Sequence, residues 1–222
     1  MTRSRAEQAV DARDAFAKPW LASCDDAIGL EAIGRREVQL AIWRRSLPSH
    51  LTQWLNALKR AELPDLSVVL STSASPALVA SFMVSTPGGP MRDLLAEDAC
   101  ALVRCYAALT GCAFVTVRLE SVSDDSCSRF HRDASKVRLF TTYRGKGTEF
   151  VAPENSSAAI REQRSYRGAI ERLAAHEVAV WKGTGAEEGD ALVHRSPPMQ
   201  RADSVRLVLC VDAPVDERGW IL

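Results

Sequence analysis

Residues 101–120 read ALVRCYAALTGCAFVTVRLE, and within them the apolar period changes once. On the N-terminal side, Leu95, Ala99, Leu102, Tyr106 and Leu109 advance in alternating steps of four and three, the stripe of an amphipathic helix. Gly111 stands where a C-terminal cap belongs. On the C-terminal side, Val115, Val117 and Leu119 alternate with Thr116, Arg118 and Glu120, the pattern of a half-buried strand. A largely helical half therefore precedes a run of short strands, which predicts an α+β chain with a β-sandwich or barrel backed by helices.

Reading outward from this switch fills in both halves. Upstream, VQLAIWRR (38–45) alternates as a strand, and Leu47, Leu51, Trp54, Leu55 and Leu58 predict a helix from about Pro48 to Glu62, stopped by Pro64. LSVVLSTS (66–73) reads as another strand, and residues 5–17 as an exposed or loosely docked helix. Downstream, Val137, Leu139, Thr141 and Tyr143 form one face of a strand, with Arg138, Phe140 and Thr142 on the other. Residues 153–175 read as helix and loop. Their Arg161, Arg164, Arg167 and Arg172 are interleaved with Glu162 and Glu171, as on a solvated face. Strands resume at HEVAVWKG, DALVHRS and SVRLVLCVD. The expected division is a helical N-terminal extension over 1–34, able to be mobile, and one domain over 35–222. In that domain, 35–111 supplies helical support and wall strands and 112–212 the β-barrel core.

Lys and Arg number 28 and Asp and Glu 28, so the 222-residue chain is formally neutral. That balance argues against a protein that coats nucleic acid, which needs surplus cations, and against a polybasic membrane anchor. The polar opening lacks a signal-peptide core, and a cytoplasmic location is expected. The six cysteines, none in a C-x-x-C pair, are expected to be reduced, most of them as small buried hydrophobes.

Chemistry concentrates in two places. In SRFHRDASKVRLF, His131 and Asp133 are two apart at a strand entry, where alternate side chains share a face. His194 closes the apolar stretch of GDALVHRSPP. In SVRLVLCVD, Val205, Leu207, Leu209 and Val211 fill one face and Val208 and Cys210 share the other with Arg206. A strand apolar on both sides is buried, and a buried guanidinium calls for an anion in fixed geometry. That anion is either an internal Asp or Glu or the carboxylate or phosphate of a ligand.

The order H-x-D, strand, TTYRGKGTEF, distal His, then Arg resembles the iron(II)- and 2-oxoglutarate-dependent oxygenases, in particular their prolyl-hydroxylase-like branch, over about residues 113–212. Over roughly 35–212 the segments AIWRR, CSRFHRD, TTYRGKGTEF, VAVWKG and LVHRSPP are similar to an uncharacterised family of bacterial proteins. The oxygenase resemblance implies a double-stranded β-helix (jelly-roll, cupin-like) barrel. His131, Asp133 and His194 would hold Fe(II), leaving positions open for 2-oxoglutarate and O2. Arg206 would bind the distal carboxylate of 2-oxoglutarate, with Arg201 a second cation in the segment. Tyr143 would donate to that carboxylate or at the metal, and Arg144, Thr148 and Glu149 would face substrate. The expected substrate is a small molecule or a protein side chain. Neither nucleic acid nor membrane is an expected partner.

Two alternatives stay open at this level. Cys127, four residues before His131, would complete a closed S/N site with His131 and His194, suited to Zn(II) and to metal binding or handling without oxidation. Otherwise His131, Asp133 and His194 simply hydrogen-bond one another in a structural or partner-binding domain. His176, at the start of the VAVWKG strand, is either a spare ligand or a surface residue.

Overall fold

The computed structural model describes residues 18–125, 127–186, 190–198 and 205–214. The helix expected over 5–17 and Arg201 lie outside them. In chain order the elements are β1 (Leu21–Cys24), β2 (Leu40–Trp43), α1 (Ser49–Ala57), β3 (Leu66–Ser71), α2 (Pro76–Phe82), α3 (Pro90–Thr110), β4 (Phe114–Val122) and β5 (Val137–Arg144). There follow β6 (Glu149–Phe150), α4 (Ser156–Glu162), β7 (Glu171–Arg172), β8 (Val178–Lys182), β9 (His194–Arg195) and β10 (Arg206–Asp212).

The period change at Gly111 is where α3 ends. The glycine is left-handed (φ 74°), and its N–H returns to the Ala107 carbonyl. The chain then runs straight into β4. Seven strands form one mostly antiparallel sheet in the order β1-β2-β8-β5-β10-β4-β3, with only β1 and β2 parallel. A second sheet has the order β7-β6-β9.

Strand alternation divides the large sheet into two unlike faces. One carries Val115, Val117, Leu119, Leu139, Tyr143, Val178, Val180, Leu207, Leu209 and Val211, packed on Leu51 and Leu55 of α1 and Leu95, Leu102 and Tyr106 of α3. The opposite face is partly covered by the small sheet, where Leu40, Ile42, Ala179 and Trp181 meet Phe150, Leu173 and Leu192. Beside that contact the same face carries Arg118, Glu120, Arg138 and Arg206, and there a cavity opens.

The helix expected over 48–62 is shorter, ending at Ala57, with a separate turn of 3-10 helix over Arg60–Glu62. The boundary expected at residue 34 falls inside the body of the protein. β1 pairs with β2, Trp20 and Ile33 are buried, and Leu30 is wholly enclosed in the core on the helix side of the sheet. No helix among the described residues is long and apolar enough to cross a membrane.

Candidate metal centre and anion pocket

His131 and His194 come together because their backbones form an antiparallel bridge. The N–H of each donates to the carbonyl of the other at 3.0 Å. The loop before His131 is clamped by Gln163, whose Oε1 accepts from the Phe130 N–H (2.8 Å) and whose Nε2 donates to the Phe130 carbonyl (3.0 Å). Asp133 is fixed from behind, since its carbonyl accepts from the Thr184 N–H (2.8 Å). That approach requires Gly183, where an added Cβ would stand 2.1 Å from the Ser135 carbonyl oxygen and 2.7 Å from that of Asp133.

Ligand atoms of His131, Asp133 and His194 lie within 4.8 Å of one another. His131 Nε2 is 3.7 Å from Asp133 Oδ1, and His194 Nε2 is 3.5 Å from Asp133 Oδ2. Each Nδ1 faces a backbone carbonyl, that of Arg129 for His131 (2.8 Å) and that of Leu192 for His194 (3.3 Å). A carbonyl only accepts, so Nδ1 carries the proton and the Nε2 lone pairs are left facing Asp133. Burial lowers the His194 pKa to about 4, outweighing the attraction of Asp133, so the imidazole is neutral at pH 7. Burial pushes the Asp133 carboxyl up, but His194, Arg138 and the Trp181 N–H outweigh it and the pKa falls below the ordinary value. Trp181 Nε1 donates to Oδ2 at 2.8 Å, and Arg138 Nη1 pairs with Oδ1 at 2.6 Å. Two imidazoles and one carboxylate, oriented by partners behind them, fit a divalent transition metal with open positions.

Arg206 lines the same cavity, of about 130 Å³, and is 2% exposed. The turn after β5 builds its cradle. Gly145 is left-handed (φ 89°), and the Lys146 carbonyl accepts from Arg206 Nε at 2.7 Å. Nη1 donates to Ser196 Oγ (2.8 Å) and Nη2 to Thr148 Oγ1 (3.3 Å). All three partners are neutral. The nearby carboxylate, Glu149, is occupied by Arg172 and by Arg195 (2.8 Å). Burial without a hydrogen-bonded acid lowers the Arg206 pKa to about 10, despite attraction from Cys127 and Glu149. Of the two anions the sequence left open, an internal Asp or Glu makes no direct contact among the described residues.

Several expected roles are corrected. Tyr143 lies on the helix side of the sheet, where its hydroxyl donates to Asp98 Oδ2 at 2.6 Å, so it does not reach the cavity. Arg144 also turns to that side, donating to the carbonyls of Leu55 (3.1 Å) and Leu58 (2.8 Å) at the end of α1. Glu149 is buried between two arginines and does not line the cavity, whereas Thr148 does, as a partner of Arg206. Cys127 is not among the converging ligand atoms. It lines the cavity at the Arg206 end, its carbonyl accepting from the Ser196 N–H, so the closed S/N zinc site does not form. His176 sits in a left-handed turn (φ 73°) with its carbonyl accepting from Arg45 Nε, apart from the ligand group.

Arg138, Trp181, Gln163 and Ser196 were not singled out from the sequence. Arg138 carried the one usable signal, a cation on the face of its strand opposite Leu139.

The sequence pattern of a family described as "Protein of unknown function (DUF1826)" matches residues 24–212. No protein of curated function matches the chain in sequence. Among solved structures, the rice dioxygenase for auxin oxidation is similar at 14% identity, covering 90% of this chain and 89% of that one, with a TM-score of 0.45. Dioxygenase for auxin oxidation 1 of Arabidopsis thaliana, bound to 2-oxoglutarate, is similar at 12% identity over 90% and 98%, TM-score 0.45. A Pseudomonas putida prolyl-4-hydroxylase is similar at 12% identity over 82% and 95%, TM-score 0.42.

Proposed function

The chain belongs to the DUF1826 family of proteins of unknown function, and from that premise we propose that it is an Fe(II)- and 2-oxoglutarate-dependent oxygenase built on a double-stranded β-helix. The observation that carries the reading is one cavity lined both by members of a two-histidine, one-carboxylate group and by a buried arginine hydrogen-bonded only to neutral groups. Either half alone has ordinary explanations. Together they match a metal with open positions and a dicarboxylate that reaches from it to a guanidinium.

His131, Asp133 and His194 would hold the metal, which with 2-oxoglutarate and O2 supplies the oxidation of a substrate C–H bond. The Nδ1 hydrogen bonds of both histidines keep the Nε2 lone pairs aimed inward. Trp181 and Arg138 hold the Asp133 carboxylate in one orientation. Arg206, steadied by Ser196 and Thr148, takes the far carboxylate of the cosubstrate. Phe140 and Val208 line the cavity between these ends and keep it poor in water. A small molecule or a protein side chain is the substrate class, and nucleic acid is not among the proposed partners.

Anaerobic titration of the Fe(II)-loaded protein with 2-oxoglutarate tests the reading through the visible metal-to-ligand charge-transfer band. Wild type is expected to develop the band. Arg206→Ala is expected to need at least about a hundredfold more 2-oxoglutarate, the loss of a buried charge-assisted pair, while its metal content stays at the wild-type level. A metal-loaded wild type with neither the band nor 2-oxoglutarate turnover overturns the proposal.

A further inference from the structure

One wall of the cavity is used neither by the candidate metal ligands nor by Arg206. It is formed by Arg118, Glu120 and Val122 of β4, with Val208 of the adjoining β10. β4 presents Arg118 and Glu120 on the same face, two residues apart, and both side chains remain about one third exposed (31% and 38%). Arg118 is held by one arm only, its Nη2 donating to Cys210 Sγ (3.0 Å) and to Asp212 Oδ2 (3.1 Å). Its Nη1 stands 3.8 Å from Glu120 Oε1, too far for a hydrogen bond. The Glu120 carboxylate accepts no hydrogen bond from any described residue, so the wall shows an open N–H edge and, 3.8 Å from it, a carboxylate that is not hydrogen-bonded.

The other charges of this region are already matched. Arg138 is shared by Asp133 and Asp212 (2.8 Å from its Nε), and Arg206 awaits a carboxylate. With a divalent metal and a dicarboxylate in place, the cations and anions around the cavity balance. A substrate of net charge would upset that balance in a partly desolvated site, whereas one carrying both signs preserves it and satisfies both open groups.

We propose that the substrate is a compact zwitterion, a free α-amino acid being the simplest, with its ammonium on Glu120 and its carboxylate on the Nη1 edge of Arg118. Its side chain would then lie over Val122, Val208 and Phe140. This inference rests on the oxygenase reading and names the substrate class of that site.

The test adds each of the twenty proteinogenic amino acids to the anaerobic Fe(II)- and 2-oxoglutarate-loaded protein, following the charge-transfer band and binding heats by calorimetry. At least one is expected to shift the band and bind. Its N-acetyl and carboxamide derivatives, each lacking one charge, are expected to bind at least tenfold more weakly. In Glu120→Gln, the affinity for that amino acid relative to 2-oxoglutarate is expected to drop at least tenfold, and Arg118→Lys, which keeps the charge but loses the fork, is expected to move it the same way. If 2-oxoglutarate binds and none of the twenty does, or if Glu120→Gln binds as wild type does, the zwitterion inference is wrong and the oxygenase reading stands. If 2-oxoglutarate itself fails to bind, both are wrong.

Discussion

Two arginines on opposite sides of the same sheet, Arg45 half-buried and Arg206 buried, show how structure and function divide this molecule. On the helix side, Arg45 meets Asp98 with both arms, Nη1 to Oδ1 at 2.5 Å and Nη2 to Oδ2 at 2.9 Å, while Tyr143 donates to the same carboxylate. On the cavity side, Arg206 is more deeply buried and finds only a carbonyl and two hydroxyls. The consequences are opposite in sign. Burial alone would lower both pKa values, but the Asp98 pair raises that of Arg45, and Arg206 stays depressed at about 10. A guanidinium given its acid by the fold secures the fold. One denied an acid by the fold is the group to which our proposal assigns a ligand's carboxylate.

The largest expected effect breaks this contrast directly. Asp98→Ala leaves the largely enclosed Arg45 side chain, 10% exposed, without its anion and is expected to lower the unfolding free energy by about 3 kcal/mol, read from urea denaturation of the metal-free protein. Arg206→Met removes a buried charge that had no acid, at the cost of three neutral hydrogen bonds, and is expected to lose less than half as much. In return, saturating 2-oxoglutarate should raise the melting temperature of the Fe(II)-loaded wild type under anaerobic conditions and leave Arg206→Met unmoved. Equal losses of stability in the two variants would show that the two arginines are structural alike.

A smaller effect follows from pH and again concerns the cavity side. His194 has a folded-state pKa of about 4, below the ordinary 6.5, so folding holds it neutral. Its contribution is complete above pH 6.5, where the unfolded chain also carries neutral imidazole. It is lost as pH falls toward 4, because the unfolded state takes up the proton first. From the size of the shift, the metal-free protein is expected to lose on the order of 3 kcal/mol between pH 7.5 and 4.5 from this group. Urea denaturation at the two pH values measures the loss, and His194→Gln should flatten the dependence. An unchanged slope in that variant would place the acid sensitivity elsewhere.

The same contrast explains what could be read from the sequence. Arg206 was legible because a strand apolar on both faces must be buried, and a cation there is conspicuous. His131, Asp133 and His194 were legible as a set through their order and strand context. The change of period at Gly111 marked the end of α3. Tyr143 misled because its strand alternates cleanly, and alternation alone does not say which face is the cavity. That depends on where α1 and α3 pack, a tertiary fact. Trp181 and Gln163 act on the site by hydrogen bonds spanning 48 and 33 residues of chain, which no local pattern encodes. The entry into the sheet of β1 was hidden because a four-residue strand has too few alternations to register.

Arg144 gives the smallest and most local test, because it adjoins the cradle of Arg206 yet belongs to the other side of the sheet. Thr142 pairs with Val208 on the cavity face, but the register then slips, so that Arg144 rather than Tyr143 stands opposite Leu207. The extra residue of this bulge reverses the alternation and sends Arg144 toward α1. There it binds the carbonyls of Leu55 and Leu58, groups at the end of a helix that lack partners within it. Arg144→Ala is therefore expected to destabilise the protein by about 1–2 kcal/mol without changing its affinity for 2-oxoglutarate. A loss of 2-oxoglutarate affinity at unchanged stability would mean that the bulge does not separate the two sides of the sheet at this point.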